Sequence, residues 1–163
     1  MKTDEQLKKP DGADFLSEAR QLADKFAWTH QNMKRKKEVV LVARIDADES
    51  FERFVWVYDT NRVMLKCMLV GRATIPVRKL GVVLKLCALV NEGLPFGCLE
   101  YSFGEQILVF RDSADMGWGP LAQVVVDVTE RTLNLGRCYA AAIQAVLGGA
   151  EPAEAVAKAD KPQ

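Results

Sequence analysis

Histidine is almost absent from this chain. His30 is the whole supply, and it lies in a polar stretch, so a Ser-His-Asp or Cys-His arrangement would have to be built on that one residue. No two cysteines are spaced as C-x-x-C. Cys67, Cys87, Cys98 and Cys138 are scattered through apolar contexts, the pattern of reduced thiols filling a core rather than of a disulfide framework or zinc site. No GxxxxGK[ST] or GxGxxG segment offers to cradle a phosphate. Neither sign of charge is in excess: 22 Lys and Arg balance 22 Asp and Glu. That parity excludes a globally basic nucleic-acid binder and an acidic solvating chain. No run of about 18 apolar residues occurs, so no transmembrane helix is expected. Residues 1–10 carry Lys2, Asp4, Glu5, Lys8 and Lys9 with no apolar h-region, unlike a secretory signal. The expectation is a cytoplasmic protein that is not an enzyme, with no catalytic residue, cofactor or metal ligand to assign.

What is present is the composition of an ordinary globular domain, 49% apolar and 27% charged over 163 residues. One domain over 13–157 is expected, between a flexible N-terminus at 1–12 and a flexible C-terminus at 158–163. Phe15, Ala19, Leu22 and Phe26 recur at helical spacing, which predicts a helix over 14–28 capped by Asp14. His30–Lys37 is polar and reads as a linker. Three segments rich in β-branched residues follow, 38–47, 53–59 and 63–71, joined by short polar turns that favour antiparallel hairpins. Their apolar residues fall on both sides, which predicts a sheet covered at least in part on both faces. Pro76 opens a helix over 76–91, and the segments 99–103 and 107–111 read as a hairpin around Gly104-Glu105. After Gly119-Pro120 a long helix runs to Leu147, with a stripe of Leu121, Val125, Val128, Thr132, Leu135, Tyr139, Ala142 and Val146. Gly136 is placed to bend it, and a short Ala-rich helix follows Pro152. The order helix, three strands, helix, two strands, helix gives an α+β class: an antiparallel sheet packed by helices.

The helix over 76–91 is apolar nearly all round. One stripe is Leu80, Val83, Leu84 and Cys87, and Val82, Leu86, Leu89 and Val90 spill onto the other side. A helix packed on the sheet of a monomer needs one apolar stripe. The surplus predicts a homodimer seam through Val82, Leu86, Leu89 and Val90. Phe15 and Trp56 are candidate contacts for a segment of a client protein. So is Trp118, which stands between two glycines before the last helix and reads equally as a staple closing that helix's start. The run Lys34, Arg35, Lys36, Lys37 would supply phosphate or acidic-partner contacts, although charge runs at strand edges also serve to deter edge pairing. Asp46, Asp48 and Glu49 read as turn residues rather than a cation site.

Val90-Asn91-Glu92-Gly93-Leu94-Pro95-Phe96-Gly97-Cys98-Leu99-Glu100 resembles the LN-x-GLP-x-G-x-F/L-E segment of the YbjN family, putative bacterial sensory transduction regulators. Ile75-Pro76-Val77-Arg78 is similar to that family's helix start. Arg137-Cys138-Tyr139, Ala145–Gly149 and Glu151–Ala155 resemble its close. The resemblance spans roughly 38–157 and implies the fold of type III secretion chaperones: small cytosolic homodimers that bind segments of other proteins without enzymatic activity, here with loose links to regulation and stress responses. The expectation is therefore a homodimeric protein-binding module, chaperone-like or regulatory. A nucleic-acid-linked regulator using Lys34–Lys37, or a small-molecule-sensing domain, is the alternative.

Overall fold

The computed structural model describes residues 10–159 apart from 36, 47 and 118, and at Lys34 the backbone alone. The element order is α1 (Gly12–Lys25), β1 (Thr29–Lys34), β2 (Glu38–Arg44), β3 (Phe51–Asp59), β4 (Met64–Gly71), a 3₁₀ turn (Val77–Lys79), α2 (Leu80–Glu92), β5 (Cys98–Ser102), β6 (Ile107–Asp115), α3 (Leu121–Leu147) and α4 (Pro152–Ala157). The class is α+β, with a six-stranded antiparallel sheet ordered β1-β2-β3-β4-β6-β5.

The expected run of three strands is a run of four. Residues read as a linker form β1, paired with β2 from Thr29↔Arg44 to Lys34↔Val39. Polar residues suffice there because β1 is an edge strand with one neighbour, and the hairpin closes through the Arg35 amide donating to the Glu38 carbonyl at 3.0 Å. His30, on the helix side of this strand, meets Asp24 at 2.9 Å. The first helix also starts earlier than its apolar spacing indicates. Asp11, not Asp14, is the cap: its carboxylate accepts from the Ala13 and Asp14 amides at 2.7 and 2.8 Å. Ala27, with φ 55°, ends it. The expected flexible termini lie for the most part outside the described residues; Pro10 to Gly12, within them, begin α1.

Alternate residues divide the sheet into two faces. Val39, Leu41, Phe54, Trp56, Tyr58, Leu65, Cys67, Leu69, Leu99 and Phe110 point to the helices and form the main core with α1, α2, α3 and α4. Trp56 is fully buried, and its indole N–H donates to the Thr129 hydroxyl at 2.8 Å, which in turn donates to the Val125 carbonyl at 2.7 Å. Phe15 is also fully buried, against Tyr58 with ring centroids 5.2 Å apart. A β-bulge between Phe51 and Arg53 turns Phe51 into this core while Arg53 stays on the opposite face.

α3 covers β4 and β6 without interruption for 27 residues, about 40 Å at 1.5 Å per residue. The helix continues through Gly136. A Cβ there would stand 2.2 Å from Leu69 Cδ2 and 3.1 Å from the Phe51 ring, so the glycine allows the helix to lie close on the sheet. α2 packs on β5 and on α4, and α4 buries Pro152 and Ala155. The second apolar side of α2 is thus met inside the chain. Leu86 and Val90 are fully buried and Val82 and Leu89 half-buried. Leu86 and Val90 are core rather than the expected seam, and Val82 packs against that core.

Candidate functional site: an open apolar trough

The faces of the sheet differ in one respect that matters. Every helix belongs to the first core, whereas the second apolar cluster consists of strand residues alone: Val40, Val55, Val57, Val70 and Ile107, with Val42, Met68 and Val109 against them. The expectation that both faces are covered is half right. Both are apolar, but among the described residues one has no layer over it.

Register builds the floor. Val40 lies opposite Val57, and Val42 opposite Val55. Val55 continues to Met68, and Val70 to Val109. The floor and the side chains that flank it line a trough of about 580 Å³. The five clustered residues are each less than a tenth exposed, shielded by one another and by the rim.

The rim is polar, and its arginines are paired, while Lys66 stands on the same face beside Val57. Arg53 pairs with Glu105, and with Glu52 at 3.2 Å. Arg111 Nε donates to Glu100 at 3.0 Å, and its Nη2 makes a second bond to the same carboxylate. Arg35 lies 3.6 Å from Glu38. Hydrogen bonding from Arg111 is the largest influence on Glu100 and holds its carboxyl below the ordinary 4.5, against a smaller opposing effect of burial. A lowered pKa means that this pair contributes stability above the unfolded value and loses it as pH falls through the folded value. Its worth is under about 1 kcal/mol, because both side chains are a third or more exposed. Arg111→Gln is expected to raise the Glu100 titration midpoint toward 4.5, read by carboxyl NMR, while the melting temperature at pH 7 falls by only a few degrees at most.

The remaining sequence-derived candidates fall elsewhere. Phe15 and Trp56 are core residues with no accessible surface for a client; their apolar size carried the expectation, and the same size places them inside. Trp118 and Lys36 lie outside the described residues. Arg35 and Lys37 are exposed at the β1–β2 turn, one already paired with Glu38, and the backbone of Lys34 ends β1 rather than lying in a linker. Asp48 accepts from the Ser50 and Phe51 amides at 2.7 and 3.0 Å, as a turn residue does. No group of three His, Cys, Asp or Glu residues that would hold a metal occurs among the described residues. Burial pushes the Cys87 thiol up to about 11 and also raises Cys67 and Cys98, the reverse of what a nucleophile needs.

A second crevice, of about 410 Å³, lies between α1 and the start of α3, lined by Asp14, Ser17, Glu18, Val63, Met116 and Leu121 among others. The Gly93–Gly97 loop is not part of it. That loop packs on α3 further along, with Arg131 over the Phe96 ring at 5.3 Å and paired with Asp112 at 2.8 Å. Residues of the motif at 90–100 have structural work. The Asn91 side chain accepts from the Leu99 amide at 2.7 Å and donates to the Leu99 carbonyl at 3.0 Å, closing the outer edge of β5. Gly97 holds φ +69°, where a Cβ would come within 2.8 Å of Leu135 and 3.0 Å of the Arg111 carbonyl. No protein-family model, curated protein or solved structure matches this chain. No helix among the described residues is long and apolar enough to cross a membrane.

Proposed function

We propose that this protein is a non-enzymatic, homodimeric protein-binding module of the cytoplasm, chaperone-like or regulatory, which engages a segment of another protein through apolar contact. The observation that carries the reading is the uncovered apolar sheet face, with its rim arginines already neutralised by carboxylates of the same chain. Such a surface favours a neutral, apolar protein surface over nucleic acid, whose affinity depends on unpaired cations. The resemblance to the YbjN family, and through it to secretion chaperones, points the same way.

The homodimer keeps α2 as its seam but through different residues. Val77, Gly81, Leu84 and Ala88 follow one another at spacings of four, three and four along the exposed side, with Val77 72% and Leu84 42% exposed. Small residues flanking one leucine allow two such helices to approach closely. Sedimentation at micromolar concentration tests this. The wild-type chain is expected to be dimeric, and Leu84→Asp monomeric with its fold intact. A monomeric wild type, or a Leu84→Asp protein that dimerises equally well, overturns the seam.

A further inference from the structure

The partner segment can be named by its shape, on the footing that the protein-binding reading holds. The geometry points to the trough over Val40, Val42, Val55, Val57, Met68, Val70 and Val109 as the seat of an amphipathic helix, two to three turns long, from another protein.

Three observations lead there. The first is what a sheet face offers. β2, β3, β4 and β6 are interior strands, and each is hydrogen-bonded on both sides. Their backbone groups are engaged within the sheet, so a segment lying on the face gains no main-chain hydrogen bonds from it. An extended peptide would leave its own amides and carbonyls unpaired against valines, whereas a helix satisfies them internally. The opposite face of the same sheet is covered by helices alone.

The second is size. From β2 to β6 is three strand spacings, about 14 Å. That accommodates a helix about 10–12 Å wide with its side chains, and corresponds to roughly nine or ten residues of helix along the same span. A trough of about 580 Å³ is concave, so two copies of this face would enclose a void between them, while a convex helix fills it.

The third is charge and supply. The arginines at the trough are each paired, Arg35 with Glu38, Arg53 with Glu105 and Arg111 with Glu100, and the floor between them is apolar, so the contact face of the helix is apolar. Residues 1–9 contain Met1 and Leu7 as their only large apolar residues, and residues 160–163 contain none. Neither of these two segments carries the apolar face that the occupant needs.

The test is selection of displayed 14-residue peptides on the full-length protein, followed by fluorescence anisotropy with the selected peptides. Val55→Lys and Val42→Lys are the comparison variants, each confirmed to melt cooperatively by circular dichroism. Expected are peptides with apolar residues at i, i+3, i+4 and i+7 and no charge on that face, which bind both variants more than about tenfold more weakly, since each places a cation in the apolar contact. Selected peptides with alternating apolar residues would overturn the helix while leaving the protein-binding reading in place. Helical peptides that bind the variants as well as the wild type would overturn the trough as their seat. A dimer that Val55→Lys dissociates would make the occupant a second copy. A small apolar molecule that co-purifies in native mass spectrometry and is lost from Val55→Lys would make it a ligand. Either finding overturns the helix. No selected peptide at all, with a monomeric protein, overturns this inference and the protein-binding reading together.

Discussion

Leu86→Asp is expected to unfold the domain rather than to dissociate a dimer. Leu86 is fully buried, on the inward side of α2 with Val83, Cys87 and Val90. Removing a packed leucine costs about 2–5 kcal/mol by itself. Placing a carboxyl among apolar neighbours, with no partner to receive it, costs several kcal/mol more whether it ionises or is held neutral. Domains of this size are stable by about 5–15 kcal/mol in all, so the two effects consume most or all of the margin. Circular dichroism should show either no cooperative transition or a melting temperature lower by about 15 °C or more, at roughly 2–4 °C per kcal/mol. Leu84→Asp, two residues away and 42% exposed, should retain a melting temperature within a few degrees of the wild type. Equal melting of the two variants would show that α2 is rotated from the orientation described.

The second large effect is expected at Gly136. Alanine in the middle of a helix is ordinarily better than glycine by about 1 kcal/mol. Here the added methyl would meet Leu69 Cδ2 at 2.2 Å and the Phe51 ring at 3.1 Å, so both buried side chains must shift, toward the crevice of about 240 Å³ that they line. Overpacking of this kind costs about 1–3 kcal/mol. Gly136→Ala is therefore expected to lower stability in spite of its helix propensity, and Gly136→Leu to lower it by more than about 3 kcal/mol. Urea denaturation can separate the two contributions. In a Leu69→Ala background, where the nearest clashing atom is gone, Gly136→Ala should become neutral or stabilising. Were Gly136→Ala stabilising in the wild-type background, α3 would not lie as close to β3 and β4 as described.

The parts of this fold legible in the sequence are those set by local pattern. The stripe from Leu121 to Val146 is the buried side of α3. The β-branched segments are strands, and the turn and cap residues stand at element boundaries. Where reading failed, a residue's partner lay far away in the chain. β1 carries no apolar alternation because an edge strand with one neighbour does not require it. The close approach at Gly136 is invisible locally because nothing nearby in sequence announces Leu69. The surplus apolar residues of α2 meet α4, which lies sixty residues on and is short and unremarkable by composition. The size that makes Phe15 and Trp56 candidate contact residues also makes them good core. The trough is half legible: the doubly apolar pattern of β2 and β3 gives notice of a second face in need of cover, but only the three-dimensional arrangement shows that no element among the described residues lies over it.

The strand order has a kinetic consequence. β1 to β4 form a meander in which each strand follows its neighbour through a short turn, so these pairings close small loops and form early. β6 joins β4 only after the chain has passed through α2 and β5, and closing that longer loop carries an entropic cost before any contact repays it. Docking of the β5–β6 hairpin on the edge of β4 is thus the step expected to set the refolding rate. Until it happens, β4 is itself an exposed edge strand, and its apolar residues Leu65, Leu69 and Val70 lack the neighbours that bury them in the finished sheet. Newly made chains are at greatest risk of mispairing with one another during that interval.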